Sequence, residues 1–398
     1  MVERIPQTFI DDLVDRSDIA EIIGKRVEIK KAGKEYKACC PFHNEKTPSF
    51  TISPEKGFYH CFGCGANGTS LGFLMDYEKL SFVEAIEELA RFLGIDVPKS
   101  TEDIKLSKKQ TDLKSLLNEI TCHFQSNLKT SKQAIEYLKN RGIDGKIAKD
   151  FGIGFSNDSW DELTKKYGTT ERSIDQLVDA GLIIKKDKGG YYDRFRNRIM
   201  FPIRDNRGDV VGFGGRVIEN DDEPKYLNSP ETTLFKKGYL LYGLFEAKKE
   251  ISNKKEVILV EGYTDVIGLS QNGIKNSLAT LGTATTENHI RLIFQKANQL
   301  IFCFDADNAG KKAAIRAMEI CLPLIKKNKS VKFLMLEKGS DPDTAVREHG
   351  PDDFKKLLKE SITLDDMIVN VCDTSFDKDS LTGKANAAEK AMDLIGKI

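Results

Sequence analysis

Cys40 and His43 are separated by two residues, Cys61 and Cys64 by two more, and 17 residues lie between the pairs. Thiolate and imidazole are soft to borderline donors, and two such pairs on tight turns can close a tetrahedral Zn²⁺ site. Pro41 after Cys40 and Gly65 after Cys64 suit knuckle turns whose backbone N–H groups face the sulfurs. With all four positions filled by protein, one structural Zn²⁺ is expected. Cys39 and His60 are adjacent competing donors, though either breaks the two-residue spacing. Buried thiols alone would leave so small an N-terminal unit without the staple that short domains need.

A second constellation is made of carboxylates. Val257–Val260 is an apolar run that ends at Glu261-Gly262, with Asp265 opening a helical pattern. Leu300–Phe304 ends at Asp305-Ala306-Asp307, and Val331–Leu336 leads to Asp341-Pro342-Asp343. Continuous apolar runs read as buried parallel strands. In an open α/β sheet, ligands collect beyond the carboxyl ends of the strands. Glu261, Asp305, Asp307, Asp341 and Asp343 are therefore expected in one crevice, where hard divalent cations, Mg²⁺ or Mn²⁺, would offset their repulsion. Nine acidic residues lie between 257 and 347, and six of them occupy these strand ends. Such clusters handle phosphates.

Two stretches carry the complementary charge. Residues 25–56 hold eight basic and four acidic side chains, with Phe42, Phe50, Phe58, Tyr59 and Phe62 around them. That mixture suits stacking of single-stranded bases. Residues 185–216 hold nine basic and four acidic side chains. There Arg194, Arg196 and Arg198 alternate, which predicts one face of a strand and a row of guanidinium groups for phosphates. Gly212-x-Gly214-Gly215 lacks the strand-to-helix setting of a dinucleotide loop and reads as a turn.

These groups need elements to hold them. A helix is expected at Phe9–Val14, short strands at Val27–Ile29 and Tyr36–Cys39, and a hairpin from Phe50 to Phe62 through Pro54–Gly57. A helix follows at Ser81–Leu93, where Ser81 and Glu84 have capping-box spacing. Residues 98–112 are polar and Lys/Ser-rich, a flexible linker by composition. Helices are expected at 113–129 and 131–140, then Gly-punctuated strands to about 245, then alternating strands and helices. The tail from Pro351 is helical and acidic and stops inside a continuing amphipathic pattern, so a fragment is expected.

The motifs V-E-G-Y-T-D, F-D-A-D-N-A-G and S-D-P-D-T resemble a Toprim domain. Together with C-P-F-H…C-F-G-C-G, R-F-R-N-R-I-M-F-P-I, G-F-G-G-R and P-K-Y-L-N-S-P, the whole chain resembles bacterial DNA primases of the DnaG type. The resemblance implies an α/β chain, α+β overall, in five parts. These are a zinc-ribbon domain (1–97), a flexible linker (98–112), an N-terminal polymerase subdomain (113–253), a Toprim subdomain (254–347) and a truncated helical subdomain (348–398). It implies synthesis of short RNA primers from NTPs on single-stranded DNA, by nucleotidyl transfer with two Mg²⁺ or Mn²⁺ ions. Glu261, Asp305, Asp307, Asp341 and Asp343 are the implied metal-binding cluster, with Asp265 supporting it. Glu261 is alternatively a general base or acid. Lys225, Tyr226, Asn228 and Ser229 fall beside the implied active centre, and Arg141, Arg196, Arg198, Arg216 and Lys237 line the implied template and nucleotide groove. Implied partners are the DNA template, NTPs, the RNA primer and a replicative helicase, whose docking domain the resemblance places beyond these residues. A monomer and no membrane association are expected. Another Toprim enzyme, or a non-catalytic zinc module for single strands, are the rival readings.

Composition fits this picture. Lys plus Arg and Asp plus Glu each total 61, which excludes a uniformly basic nucleic-acid coat but not separate charged blocks. No apolar stretch reaches the roughly 20 residues of a spanning helix. The charged N-terminus lacks a signal-peptide core, so a reducing cytosol is expected, with Cys122, Cys303, Cys321 and Cys372 as free buried thiols; the resemblance implies that this is the bacterial cytosol, at the replication fork.

Overall fold

The computed structural model describes residues 5, 7–97, 101–218, 223–304, 308–325, 328–337, 339–375 and 380–397; the side chains of 7, 8, 101–107, 308, 309, 374 and 375 are outside the description. The chain divides into two compact units, Met1–Lys108 and Lys109–Ile398.

The first unit is built on a five-stranded antiparallel sheet whose strands follow one another in sequence order. Its middle strands are Glu35–Ala38, Phe50–Ser53 and Phe58–Cys61, the last two joined by the expected turn. The first strand lies at Lys30–Ala32, because a helix at Ile19–Gly24, capped by Asp18, uses up the chain before Val27. Side-chain alternation sorts the strands: Phe50, Ile52, Tyr59 and Cys61 are buried with Leu13, Phe73 and Ile86. The Phe82–Leu93 helix carries the predicted capping box, Ser81 with Glu84, and ends at Gly94.

Besides a two-stranded hairpin, Ile183–Lys185 with Tyr191–Asp193, the second unit holds two larger sheets. One is antiparallel, in the order Tyr226–Asn228, Val210–Val217, Arg198–Arg204, Gly154–Ser156. The other runs Ser277–Ala279, Glu256–Val260, Gln299–Phe304, Ser330–Met335, Ile362–Thr363, with the first four strands parallel and the last antiparallel. The three apolar runs are thus neighbouring parallel strands. Their registers, Ile258 opposite Ile301 and Ile301 opposite Lys332, bring their carboxyl ends level.

Several expectations change. The helix predicted at 113–129 begins at Thr101, so the stretch 101–112, read as a linker, is helical. Lys, Leu, Glu and Gln are good helix formers, and neither Pro nor Gly interrupts them. Arg194 and Arg196 are not on a strand: the Tyr191–Asp193 strand ends before them and the next begins at Arg198, with Asn197 at φ +47° between. The three arginines therefore share no strand face. Gly212–Gly215 lies mid-strand rather than in a turn. Cys303, Cys321 and Cys372 are buried as expected, whereas Cys122 is exposed. Among the described residues, no helix is long and apolar enough to cross a membrane.

Candidate functional site

Two polar centres stand out, one in each unit. In the first, one donor atom each from Cys40, His43, Cys61 and Cys64 lies within 4.8 Å of the other three. Cys40 Sγ is 3.8 Å from Cys64 Sγ, and His43 Nδ1 is 3.8 Å from Cys61 Sγ. The amide of Phe42 donates to Cys40 Sγ at 3.4 Å and that of Cys64 to Cys61 Sγ at 3.5 Å, as knuckle turns require. This donor set fits tetrahedral Zn²⁺. Of the competing donors, His60 sits on the strand face opposite Cys61, 4.7 Å from the Phe62 ring, and Cys39 is exposed.

Behind the four donors stands Glu45, a residue the spacing argument missed. It lies 3.3 Å from His43 Nε2, and its carboxylate accepts from the amides of Cys40 (2.6 Å) and Ser49 (3.1 Å) and the Ser49 hydroxyl (2.6 Å). A carboxylate on the far nitrogen of a ligating histidine fixes its tautomer. The Ser49 hydroxyl and these N–H groups hold the Glu45 carboxyl below its usual range. Burial pushes the Cys40 thiol up, whereas at Cys61 the Ser49 hydroxyl and the Cys64 and Gly63 amides outweigh burial and bring it down. A carboxylate two residues past the histidine was the available signal.

The second centre is a cavity of about 310 Å³ at the carboxyl ends of the parallel strands. Of the predicted site residues, it brings together Arg141, Arg216, Lys225, Tyr226, Asn228, Glu261, Asp265 and Asp341. Asp305 and Asp307 lie outside the described residues. Asp265 Oδ2 accepts from the Gly262 amide at 3.0 Å, capping the Tyr263–Gln271 helix and holding the turn that presents Glu261. Asp341 is the N-cap of the helix beginning at Pro342, its Oδ1 accepting from the Thr344 amide at 2.7 Å. Both carboxylates thus face positive helix ends, which moderates their repulsion. The oxygen-only donor set on Glu261 and Asp341 suits a hard divalent cation.

The cationic wall is equally ordered. Arg216 is buried, donates to the Tyr226 hydroxyl and lies 5.0 Å from the centroid of that ring. Tyr263, also missed, donates to Asn228 Oδ1 at 2.5 Å, while Asn228 donates to the Leu281 carbonyl at 2.9 Å. The Tyr263 ring presses on the sheet where a Cβ at Gly214 would meet it at 2.5 Å, so the Gly-rich motif is a packing device.

Asp343 is placed differently from its sequence expectation. It is 3 % exposed, faces Arg141 (3.5 Å) and Arg347 (3.6 Å), and lines no part of this cavity. A Cβ at Gly268 would stand 2.1 Å from its Oδ1, so glycine is needed there. Burial, helped by the Asp341 charge, raises its carboxyl above the usual range, against the pull of the Arg347, Arg141 and Arg216 guanidinium groups.

Four more predicted residues lie outside the cavity. Arg198 is buried and donates to the Pro224 carbonyl at 2.7 Å, supporting the segment that carries Lys225. Ser229 is fully buried and bridges to Phe213 through its hydroxyl and amide. Arg196 stacks 3.8 Å from the centroid of the exposed Trp160 ring. The Lys237 carbonyl is hydrogen-bonded to His289 at 2.8 Å, and its amide donates to Glu231.

Known proteins share this architecture. Family models match for the CHC2 zinc finger over residues 5–105, the N-terminal domain of the DNA primase catalytic core over 123–248, and a Toprim-like domain over 258–346. The whole chain is 48 % identical over 407 residues to a DNA primase of Pseudomonas aeruginosa, of which it spans 61 %. It is 44 % identical over 404 residues to a DNA primase of Escherichia coli K12, of which it spans 69 %. Among solved structures, the zinc-binding and RNA polymerase domains of Aquifex aeolicus primase are similar with a TM-score of 0.62 at 33 % identity, covering 98 % of this chain and 99 % of that one. A DnaG primase catalytic domain bound to single-stranded DNA is similar with a TM-score of 0.70 at 39 % identity, covering 73 % of this chain and 94 % of that one.

Proposed function

The chain belongs to the DnaG-type DNA primase family, and from that premise we propose that it joins NTPs into short RNA primers on single-stranded DNA. The observation that carries the reading is the meeting of Arg141, Arg216 and Lys225 with Glu261 and Asp341 around one cavity. Cations bind a triphosphate there, and carboxylates beside them need a metal partner that the triphosphate shares. Glu261 and Asp341, with Asp305 and Asp307 of the same strand ends, would hold Mg²⁺ or Mn²⁺, which when bound polarises the phosphoryl oxygens and makes a nearby hydroxyl more acidic.

The chain's own residues do the rest. Arg216 and Lys225 offer donors to the phosphates, while Tyr226 limits how the Arg216 guanidinium can turn. Asp265 keeps the Glu261 turn in place through the Gly262 amide. Asp343, buried between two arginines, positions Arg141.

In the first unit, Phe58 and His60 alternate along the Phe58–Cys61 strand with Phe62 just past its end, and by register Lys37 and Thr51 share the His60 face. Phe62 is 77 % exposed and Phe58 37 %, while Phe50 and Tyr59 are in the core. The template-stacking platform is thus Phe58, His60 and Phe62 with Lys37, rather than the full set of aromatics around the cysteines. Each stacked base is worth roughly 1–3 kcal/mol.

The test is incubation of the chain with labelled NTPs, Mg²⁺ and single-stranded DNA. Template-dependent oligoribonucleotides support the proposal. DNA relaxation or cutting without them would favour another Toprim enzyme, and binding without either product would favour a non-catalytic zinc module.

A further inference from the structure

A larger cavity, of about 510 Å³, adjoins the first and shares Glu261, Thr280 and Gly282 with it. Its floor is apolar, formed by Phe302, Phe304 and the alanines of the Asn308–Cys321 helix. Its far rim carries Lys312 and Arg316, one turn apart on that helix. Both are exposed, and among the described residues neither has an ion-pair or hydrogen-bond partner. Threonines 283 and 285 form the opposite wall. The volume is in the range of small-molecule sites. Two unpartnered cations above an apolar floor match the phosphates and the base of a nucleotide.

Resting on the primase reading, we propose that this second cavity seats the initiating nucleotide, the one that supplies the 3′-hydroxyl, with Lys312 and Arg316 holding its phosphates. The two cavities differ in a way that assigns them. Both Glu261 and Asp341 line the first, which therefore takes the triphosphate that reacts. Among the described carboxylates only Glu261 lines the second, where Lys312 and Arg316 stand ready for a triphosphate that stays intact. In the joining step the 3′-oxygen of the second-cavity nucleotide bonds to the α-phosphorus of the first-cavity nucleotide. The bond from that phosphorus to its bridging oxygen breaks, its electron pair leaves with pyrophosphate, and the hydroxyl proton passes to water.

The experiment uses a template whose first two copied bases differ, so that the initiating and the added NTP can be varied separately. Dinucleotide formation is measured for the full chain, the Lys312→Ala/Arg316→Ala double variant, the single Arg316→Lys variant and Lys225→Ala. The double variant should raise KM for the initiating NTP at least tenfold and KM for the added NTP less than threefold. Arg316→Lys should recover part of the loss, and Lys225→Ala should show the reverse split. Equal shifts in both KM values, or no shift for the initiating NTP, would overturn the assignment. Failure of the unaltered chain to make any dinucleotide would instead sink the primase reading, and this proposal with it. Because both side chains are exposed, circular dichroism of the double variant should match the parent; if it does not, the single Lys312→Gln and Arg316→Gln variants carry the same comparison.

Discussion

The zinc cluster and the carboxylate cavity solve the problem of gathering like charges in opposite ways. Around the four zinc donors the backbone does the work at short range: amides reach the sulfurs and Glu45 ties His43, Cys40 and Ser49 together. The second centre is assembled from distant chain segments: level parallel strand ends present Glu261 and Asp341, the antiparallel sheet brings Arg216 and Lys225, and a helix end brings Arg141. The first arrangement is closed, with every ligand position taken by protein. The second leaves room for substrate between cations and carboxylates. Local sequence suffices for a structural metal, whereas a reactive centre needs topology, because its groups must approach a substrate from several sides.

That contrast predicts which changes separate the two regions. Asp341→Asn should cut primer synthesis by at least about 100-fold, as loss of a ligand to a polarising cation would, while zinc content stays at one per chain. Cys61→Ser should do the converse: zinc is lost, and the melting transition of the first unit falls by more than about 10 °C with that of the second unmoved, as read by calorimetry. Asp343→Asn tests whether that residue positions Arg141. It should raise KM for NTPs by about tenfold, the scale of one weakened charge-assisted contact, with the Mg²⁺ dependence unchanged; a shifted Mg²⁺ requirement would return Asp343 to the metal ligands. Phe62→Ala should weaken single-strand binding by roughly fivefold or more at unchanged zinc content, measured by fluorescence anisotropy.

The same contrast explains what could be read from the residues alone. Ligand spacing sufficed for Cys40, His43, Cys61 and Cys64, since period-two alternation on the Phe58–Cys61 strand turns Cys61 inward and His60 outward. Apolar runs ending in acids pointed to Glu261 and Asp341, which line one cavity. The two carboxylates of Asp-Pro-Asp could not be told apart, because helix capping by Asp341 and burial of Asp343 depend on which face packs against Gly268. The arginine row failed for a local reason, the left-handed turn at Asn197. Lys312 and Arg316 gave no signal, being ordinary cations on a surface helix until the neighbouring strands supply a cavity. The polar stretch at 101–112 misled through composition: its Lys and Ser content suits a tether, yet nothing in it breaks a helix.

On the proposed reading, nucleotidyl transfer occurs where Glu261 meets the cationic wall. Dinucleotide synthesis and binding of labelled NTP and single-stranded DNA should be measured side by side for the unaltered chain and Glu261→Gln. Loss of at least about 100-fold in synthesis, with DNA binding within threefold of the unaltered chain, is the predicted result. Synthesis by Glu261→Gln at the rate of the unaltered chain would contradict it.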